Sequence, residues 1–238
     1  VGHLGDDNQV AAGATGLDVR TGAQGQLAAA GLVGGAYFRG VEQHTAGGEI
    51  RRRQHLPDEY VLFVGTLEPR KNIATLLEAW SILVRRDPEC PPLVIAGGKG
   101  WFYEELEDRA RALGLEDSVR FAGFIPDDDL AGWYAAATLF VFPSLYEGFG
   151  FPPLEAMSQG VPVIVSDRSS LPEVVGDAGL HLPPEEPALW AESIAGLLAS
   201  PERRRSMRAA GLAQAARFTW EETARRTAEV YRQVLSHG

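Results

Sequence analysis

From Tyr60 onward the apolar and polar positions follow two alternating rhythms. Short unbroken apolar runs recur at YVLFVG (60–65), PLVIAGG (92–98), VRFAG (119–123), TLFVFPS (138–144) and VPVIVSD (161–167). Each ends in Gly, Ser or Asp and lacks a polar face, which predicts a strand buried on both sides. Between the runs the spacing turns helical. In NIATLLEAWSILVRRD (72–87) the apolar positions are Ile73, Leu76, Leu77, Trp80, Leu83 and Val84, with Asn72 placed as an N-cap. WFYEELEDRARALG (101–114) predicts a second helix, stopped by Gly114. DDDLAGWYAAA (127–137) predicts a third, opened by acids, and YEGFGFPPLEA (146–156) leads into a fourth that ends near Ser158. A short helix around SLPEVVG, a weak strand AGLHLP and further helices up to His237 complete the pattern.

Strands alternating with helices predict an α/β fold, a Rossmann-like parallel sheet with helices on both faces. It is expected to form one intact domain over residues 57–238, preceded by a poorly patterned segment, 1–56. Residues 1–50 hold 12 of the 27 glycines, no Pro, no Lys and no Trp, and show no sustained period. That stretch is not assigned elements; a remnant of a preceding domain or a mistranslated frame is expected. The chain does not begin with Met, and VGHLGDDNQV has no signal-peptide pattern.

Composition narrows the function classes. A net charge of −10 argues against non-specific nucleic-acid binding. No apolar run reaches the roughly 18–20 residues of a membrane span. The single cysteine, Cys90, has no internal disulfide partner and reads as a packing residue in a reducing compartment. The five histidines are scattered, and no Gly-x-Ser-x-Gly elbow appears.

Ligands of open parallel sheets bind outside the carboxyl ends of the strands, so chemistry is sought in the loops after each strand. In YEGFGFPPLEA, Glu147 and Glu155 flank two glycines and a Pro-Pro pair. An acid/base pair, a metal site and two acceptors for ligand hydroxyls are all open from these residues. A helix starting at the prolines would point free N–H groups of Phe149 to Phe151 at a phosphate or sugar oxygen. Glu155 would then lie in the first helical turn. In GTLEPRKN, Arg70 and Lys71 precede a helix start and could neutralise a diphosphate. Lys99, in GGKGW, reads as a solvated turn residue, and Asp127 to Asp129 as acids favoured by a helix N-terminus rather than metal ligands. Arg203 to Arg205 read as a solvated helix face.

The ordered run FVGTLEPRKN, LVIAGGKGW, VRFAGFIPDDDL, FVFPSLYEGFGFPPLEAMSQGVPVIVSD and LPEVVGDAGL resembles the C-terminal, donor-binding domain of family 4 (group 1) retaining glycosyltransferases, over roughly residues 57–235. The resemblance implies a glycosyltransferase B fold of two Rossmann-like domains, with an acceptor domain N-terminal to this one. It implies a nucleotide sugar as donor, GDP-mannose or a UDP-hexose, no metal, and a saccharide or lipid-linked acceptor at a cytoplasmic location, peripheral to the inner membrane face. By the same resemblance Glu155 would accept from ribose hydroxyls and Glu147 would lie near the hexose and leaving phosphate. The amides of Phe149, Gly150 and Phe151 would hold ligand oxygens. Arg70 and Lys71 would bind the diphosphate beside Gly65 and Thr66, and the base would lie against Phe124 and Ile125. Thr66 stands where the family often carries an arginine.

Overall fold

The computed structural model describes residues 43–98 and 103–236. Residues 1–42 and Lys99, with the readings made for them, lie outside the described residues. Six strands form one parallel sheet: β1 (Val61–Val64), β2 (Leu93–Ala96), β3 (Val119–Gly123), β4 (Leu139–Phe142), β5 (Val163–Ser166) and β6 (Leu180–Leu182), in the order β3-β2-β1-β4-β5-β6. β1 therefore pairs with β2 on one side and β4 on the other. The order reverses between β1 and β4, the point at which open parallel sheets bind ligands outside the strand ends.

The helices are α1 (Gln43–Arg53), α2 (Ile73–Arg86), α3 (Tyr103–Ala112), α4 (Asp127–Ala136), α5 (Phe151–Ser158), α6 (Leu171–Val175), α7 (Pro187–Leu198), α8 (Pro201–Ala215) and α9 (Trp220–Ser236). α2 packs against α3 and α7, while α4 packs against α1 and α5, and α5 against α8. Sandwiched between these layers, every residue of β2, β4 and β5 is buried. Trp80 of α2, Trp190 of α7 and Tyr134 of α4 are among the largest sealed side chains. Half-buried Cys90 packs against this core, and burial raises its thiol.

Two readings of the sequence change here. The segment up to residue 56 is not wholly unpatterned: α1 lies on α4, and Ile50 and Leu56 are buried in the main core. Arg51 donates to the Ala136 carbonyl at 2.9 Å, Arg53 pairs with Asp129, and Arg120 reaches the Gln54 and His55 carbonyls. The glycine pair in AGGEI hid this helix: Gly47 sits where a Cβ would come within 3.2 Å of the α4 backbone. A close helix crossing, and not intrinsic propensity, explains that glycine. The second change concerns Arg204, which donates to the Leu197 and Leu198 carbonyls at the end of α7. It caps a helix, whereas Arg203 and Arg205 stand in solvent.

The ends of β1 and β2 leave no room for a side chain at Gly97. Gly97 has φ +152°, and a Cβ there would fall 1.9 Å from the Gly65 carbonyl oxygen. Gly97→Ala is therefore expected to lower stability by about 2 kcal/mol or more, read as a fall in the urea midpoint with an unchanged slope. An unaltered midpoint would mean that the two backbones do not meet.

Candidate functional site

β1 ends at Val64, and past Gly65 the chain turns through a short 3-10 segment, Pro69–Lys71, into α2. Asn72 occupies the N-cap position with φ +56°, but its side chain makes no cap bond. Its amide instead donates to the carbonyls of Pro143 (3.2 Å) and Pro184 (2.8 Å), and its oxygen accepts from Thr75. Asn72 thus ties the loops after β1, β4 and β6 together. This corrects the capping role read from the sequence.

That tie brings Lys71 and Arg70 against the loop after β4. The Lys71 ammonium lies 2.6 Å from Glu147 Oε1 and 4.7 Å from the centre of the Phe142 ring. Arg70 Nη1 lies 3.0 Å from Glu147 Oε2, and its Nη2 2.6 Å from Glu68. Ser144 also donates to Glu147 Oε1, at 2.6 Å. Both Glu147 oxygens are therefore occupied, in a cluster of two cations and two carboxylates. Burial alone would raise the Glu147 carboxyl, but the Lys71 and Ser144 hydrogen bonds and the Lys71 charge outweigh it and hold it below its ordinary value. Burial draws Lys71 below the ordinary lysine value against the pull of Glu147. Lys71 and Glu147 are 5% and 8% exposed, so each is tolerated because it is paired. Gly65 borders this lysine: a Cβ on it would lie 3.5 Å from Lys71 Cε. Thr66 next to it is exposed.

Past Glu147 the loop offers donors. No protein acceptor takes the N–H groups of Gly148, Phe149, Gly150 or Phe151 among the described residues. Gly150 has φ +108°, and a Cβ there would lie 2.8 Å from Leu171. α5 begins at Phe151, one residue before the Pro-Pro pair, and those prolines bring no N–H to its first turn. The anion-binding capacity of this helix start therefore rests on the loop amides and Phe151. Glu155 accordingly falls in the second turn, not the first as the prolines suggested.

The loop's other side is held by residues that the sequence did not single out. Ser169 sits at φ +58°, accepts from the Glu147 N–H at 3.2 Å and donates to the Glu147 carbonyl. Ser170 donates to the Phe149 carbonyl at 2.6 Å. With its carbonyls drawn to the β5–α6 loop, the segment is left with free amides. Only the Ser-Ser pair in a strand-end loop pointed this way, without naming a partner.

Glu155 is the contrasting carboxylate. It is 7% exposed, and its Oε2 accepts from the Tyr134 hydroxyl at 2.9 Å. Its Oε1 has no protein donor among the described residues, yet is not sealed from solvent. Burial raises the carboxyl, the Tyr134 hydrogen bond opposes this, and the Asp127 charge adds to it. Asp127 and Tyr134 belong to α4, which follows the loop carrying Phe124, 72% exposed, and buried Ile125. The structure thus joins Glu147 with Arg70, Lys71 and Gly65, and Glu155 with Tyr134 and Asp127 of the helix that follows the Phe124–Ile125 loop. The amides of Phe149 to Phe151 lie between the two carboxylates in the chain. A separate cavity of about 500 Å³ lies behind the loop, lined by Phe149, Phe151, Phe218 and Trp220, and takes in neither carboxylate and neither cation. No group of three or more potential metal ligands occurs among the described residues.

The chain matches the family model described as "Glycosyl transferases group 1" over residues 49–214. It is 44% identical over 173 residues to O-antigen chain mannosyltransferase B of Escherichia coli, covering 73% of this chain and 45% of that protein. Sucrose-phosphate synthase of Thermosynechococcus elongatus superposes with TM-score 0.71 at 31% identity, over 80% of this chain and 49% of that one. The C-terminal domain of a group 1 glycosyl transferase from Francisella tularensis shares the fold with TM-score 0.63 at 24% identity, over 74% of this chain and 96% of that domain. The chain spans about half the length of the first of these relatives.

The raised Glu155 carboxyl fixes a sign. Folding then favours its protonated form, so its contribution to stability is present below the unfolded carboxyl value and is lost as pH rises through the folded one. At neutral pH the ionised group is a net cost. Glu155→Gln is expected to melt above the parent at about pH 7.5, with a margin that shrinks as pH falls to about 4.5. Melting curves at the two pH values check this; no margin at neutral pH contradicts it.

Proposed function

The chain belongs to the group 1 glycosyl transferases, and we propose that its domain holds a nucleoside-diphosphate sugar for transfer of the hexose to a saccharide or lipid-linked acceptor. The observation that carries this reading is the convergence at the β1/β4 switch point. Two cations paired with Glu147 join the loops after β1 and β4, the amides that follow Glu147 have no protein acceptor, and Glu155 on the next helix keeps one oxygen open. Glu155 accepts from the ribose hydroxyls, with the base against Phe124 and Ile125. The amides of Phe149, Gly150 and Phe151 and the cations Arg70 and Lys71 take the diphosphate beside Gly65 and Thr66. Glu147 faces the hexose end.

Rupture of the bond between the sugar C1 and the phosphate oxygen leaves negative charge on the diphosphate. Fixed cations and amides stabilise that charge as it develops, with no reorganisation at the moment of reaction. Glu147 holds both cations in place before the ligand arrives. In our reading the acceptor oxygen attacks C1 from the face that the diphosphate leaves, and its proton passes to the leaving phosphate oxygen, which retains the anomeric configuration. The cations serve where a divalent metal could, so donor affinity is expected to survive EDTA. The acceptor requires a binding part that the described residues do not build; the domain by itself is the donor-holding half. No helix among the described residues is long and apolar enough to cross a membrane; a cytoplasmic enzyme that meets its acceptor at the membrane face fits this reading. The mannosyltransferase relative supports mannose as the transferred hexose, and GDP-mannose is the donor of our reading.

Calorimetry of the intact chain with GDP-mannose, UDP-glucose and their nucleotides, with and without EDTA, tests the proposal. At least one nucleotide sugar is expected to bind, and Lys71→Ala or Glu155→Ala to weaken it by at least about a hundredfold, roughly 2.8 kcal/mol. Absence of binding by the parent chain removes the donor-site assignment.

A further inference from the structure

We propose that Tyr134 is a positioning residue of the donor site: its hydroxyl fixes one oxygen of Glu155 so that the other is presented, unshared, to the ligand's vicinal hydroxyls. The proposal rests on the donor-site reading above and adds a residue to it.

Tyr134 lies in the last turns of α4 and is completely buried. Its ring packs edge-on against Phe140 of β4, with centroids 5.6 Å apart and planes at 64°. A phenylalanine would satisfy that packing equally well. The hydroxyl needs its own explanation, because a buried phenol without an acceptor costs free energy. Its partner is Glu155 Oε2, 21 positions away on the neighbouring helix. A neutral phenol has one proton, and burial beside a carboxylate keeps it there by raising the phenol well above its ordinary value. The bond therefore has one direction, Tyr134 to Glu155.

Two consequences follow for the carboxylate. With Oε2 anchored, the plane of the carboxyl group is set before any ligand binds, and Oε1 is left as an acceptor with no protein donor. Preset geometry removes an ordering cost from binding. The hydrogen bond also favours the charged form. Among the groups near Glu155, α4 contributes the Tyr134 hydroxyl and the Asp127 carboxylate, and Asp127 acts in the opposite sense. β4 and β5 have no ionisable side chain. Glu173 of α6 lines the cavity behind the loop, and Arg208 of α8 donates to the Gly160 carbonyl. Tyr134 is thus the neighbour that opposes burial and favours the charged form of Glu155, and a carboxylate accepts from a hydroxyl more strongly than a carboxylic acid does.

The experiment compares the parent chain with Tyr134→Phe by calorimetry against GDP, UDP and their 2′,3′-dideoxy forms, which lack the hydroxyls that Glu155 would bind. Tyr134→Phe is expected to weaken the ribonucleotide about tenfold and to leave the dideoxy nucleotide unchanged. It is also expected to move the acid limb of ribonucleotide binding to higher pH. In a Glu155→Gln background the same change should add no further loss, as a shared pathway requires. Retained dideoxy binding also shows that the variant is folded. Equal losses for both nucleotide forms assign Tyr134 a packing role and overturn the proposal, as does an unchanged ribonucleotide affinity and pH profile. If the parent chain binds none of the four nucleotides, the donor-site reading falls and takes this proposal with it.

Discussion

The buried pair of Lys71 and Glu147 is the interaction on which the site depends. It spans the point where the sheet reverses its order, joining the loop after β1 to the loop after β4. Taking two charges out of water is costly, and mutual attraction offsets the cost only when the remaining hydrogen-bonding capacity is also met. Ser144 and Arg70 meet it for Glu147, and the face of Phe142 meets part of it for Lys71. Removing any one of these leaves a charge in a place that can hold it only as a member of the set. The site is thereby pre-organised: the cations are fixed by the protein before a phosphate competes for them.

The two glutamates of one loop are placed in opposite states. Glu147 has both oxygens occupied and is held in its charged form. Glu155 has one oxygen tied and one open, and is pushed toward its neutral form by burial. Eight positions of chain separate them, so the difference comes entirely from what surrounds each. Glu147 sits in a loop that reaches the cations of another strand. Glu155 sits on a helix whose neighbours are a phenol and a second carboxylate. A pair so differentiated suits two distinct tasks along an extended ligand better than one shared proton. The free amides between them are the product of the same loop, because Ser169 and Ser170 take its carbonyls.

The alternation of apolar runs with helical spacing was enough to place the six strands and the parallel α/β class. β-Strands buried on both faces read as near-continuous apolar runs, and the helices covering them show a 3.6-residue period, so both signals are local. The helix Gln43–Arg53 escaped because its stability comes from docking on α4 and not from its own composition: it carries Gly47 and Gly48 and no acidic residue in its first turn. The Pro-Pro pair marked a helix start to within one residue, and that single position moves Glu155 from the end of the first turn to the start of the second. Proline is compatible with several first-turn positions, and sequence does not choose between them.

The sequence by itself determined the chemistry available: two carboxylates flanking a glycine-proline loop, two adjacent cations after a strand, and a set of buried strands that would order those loops along one edge. These are properties of residue type and short spacing. Only the tertiary structure decided the partnerships. Lys71 and Glu147 lie 76 positions apart, Tyr134 and Glu155 lie 21 apart, and Asn72 reaches the carbonyl of Pro184 across 112. Such contacts are set by strand order and helix packing. Charge state follows from them, because burial and the identity of the nearest donor, not the residue type, decide how tightly a carboxyl group holds its proton.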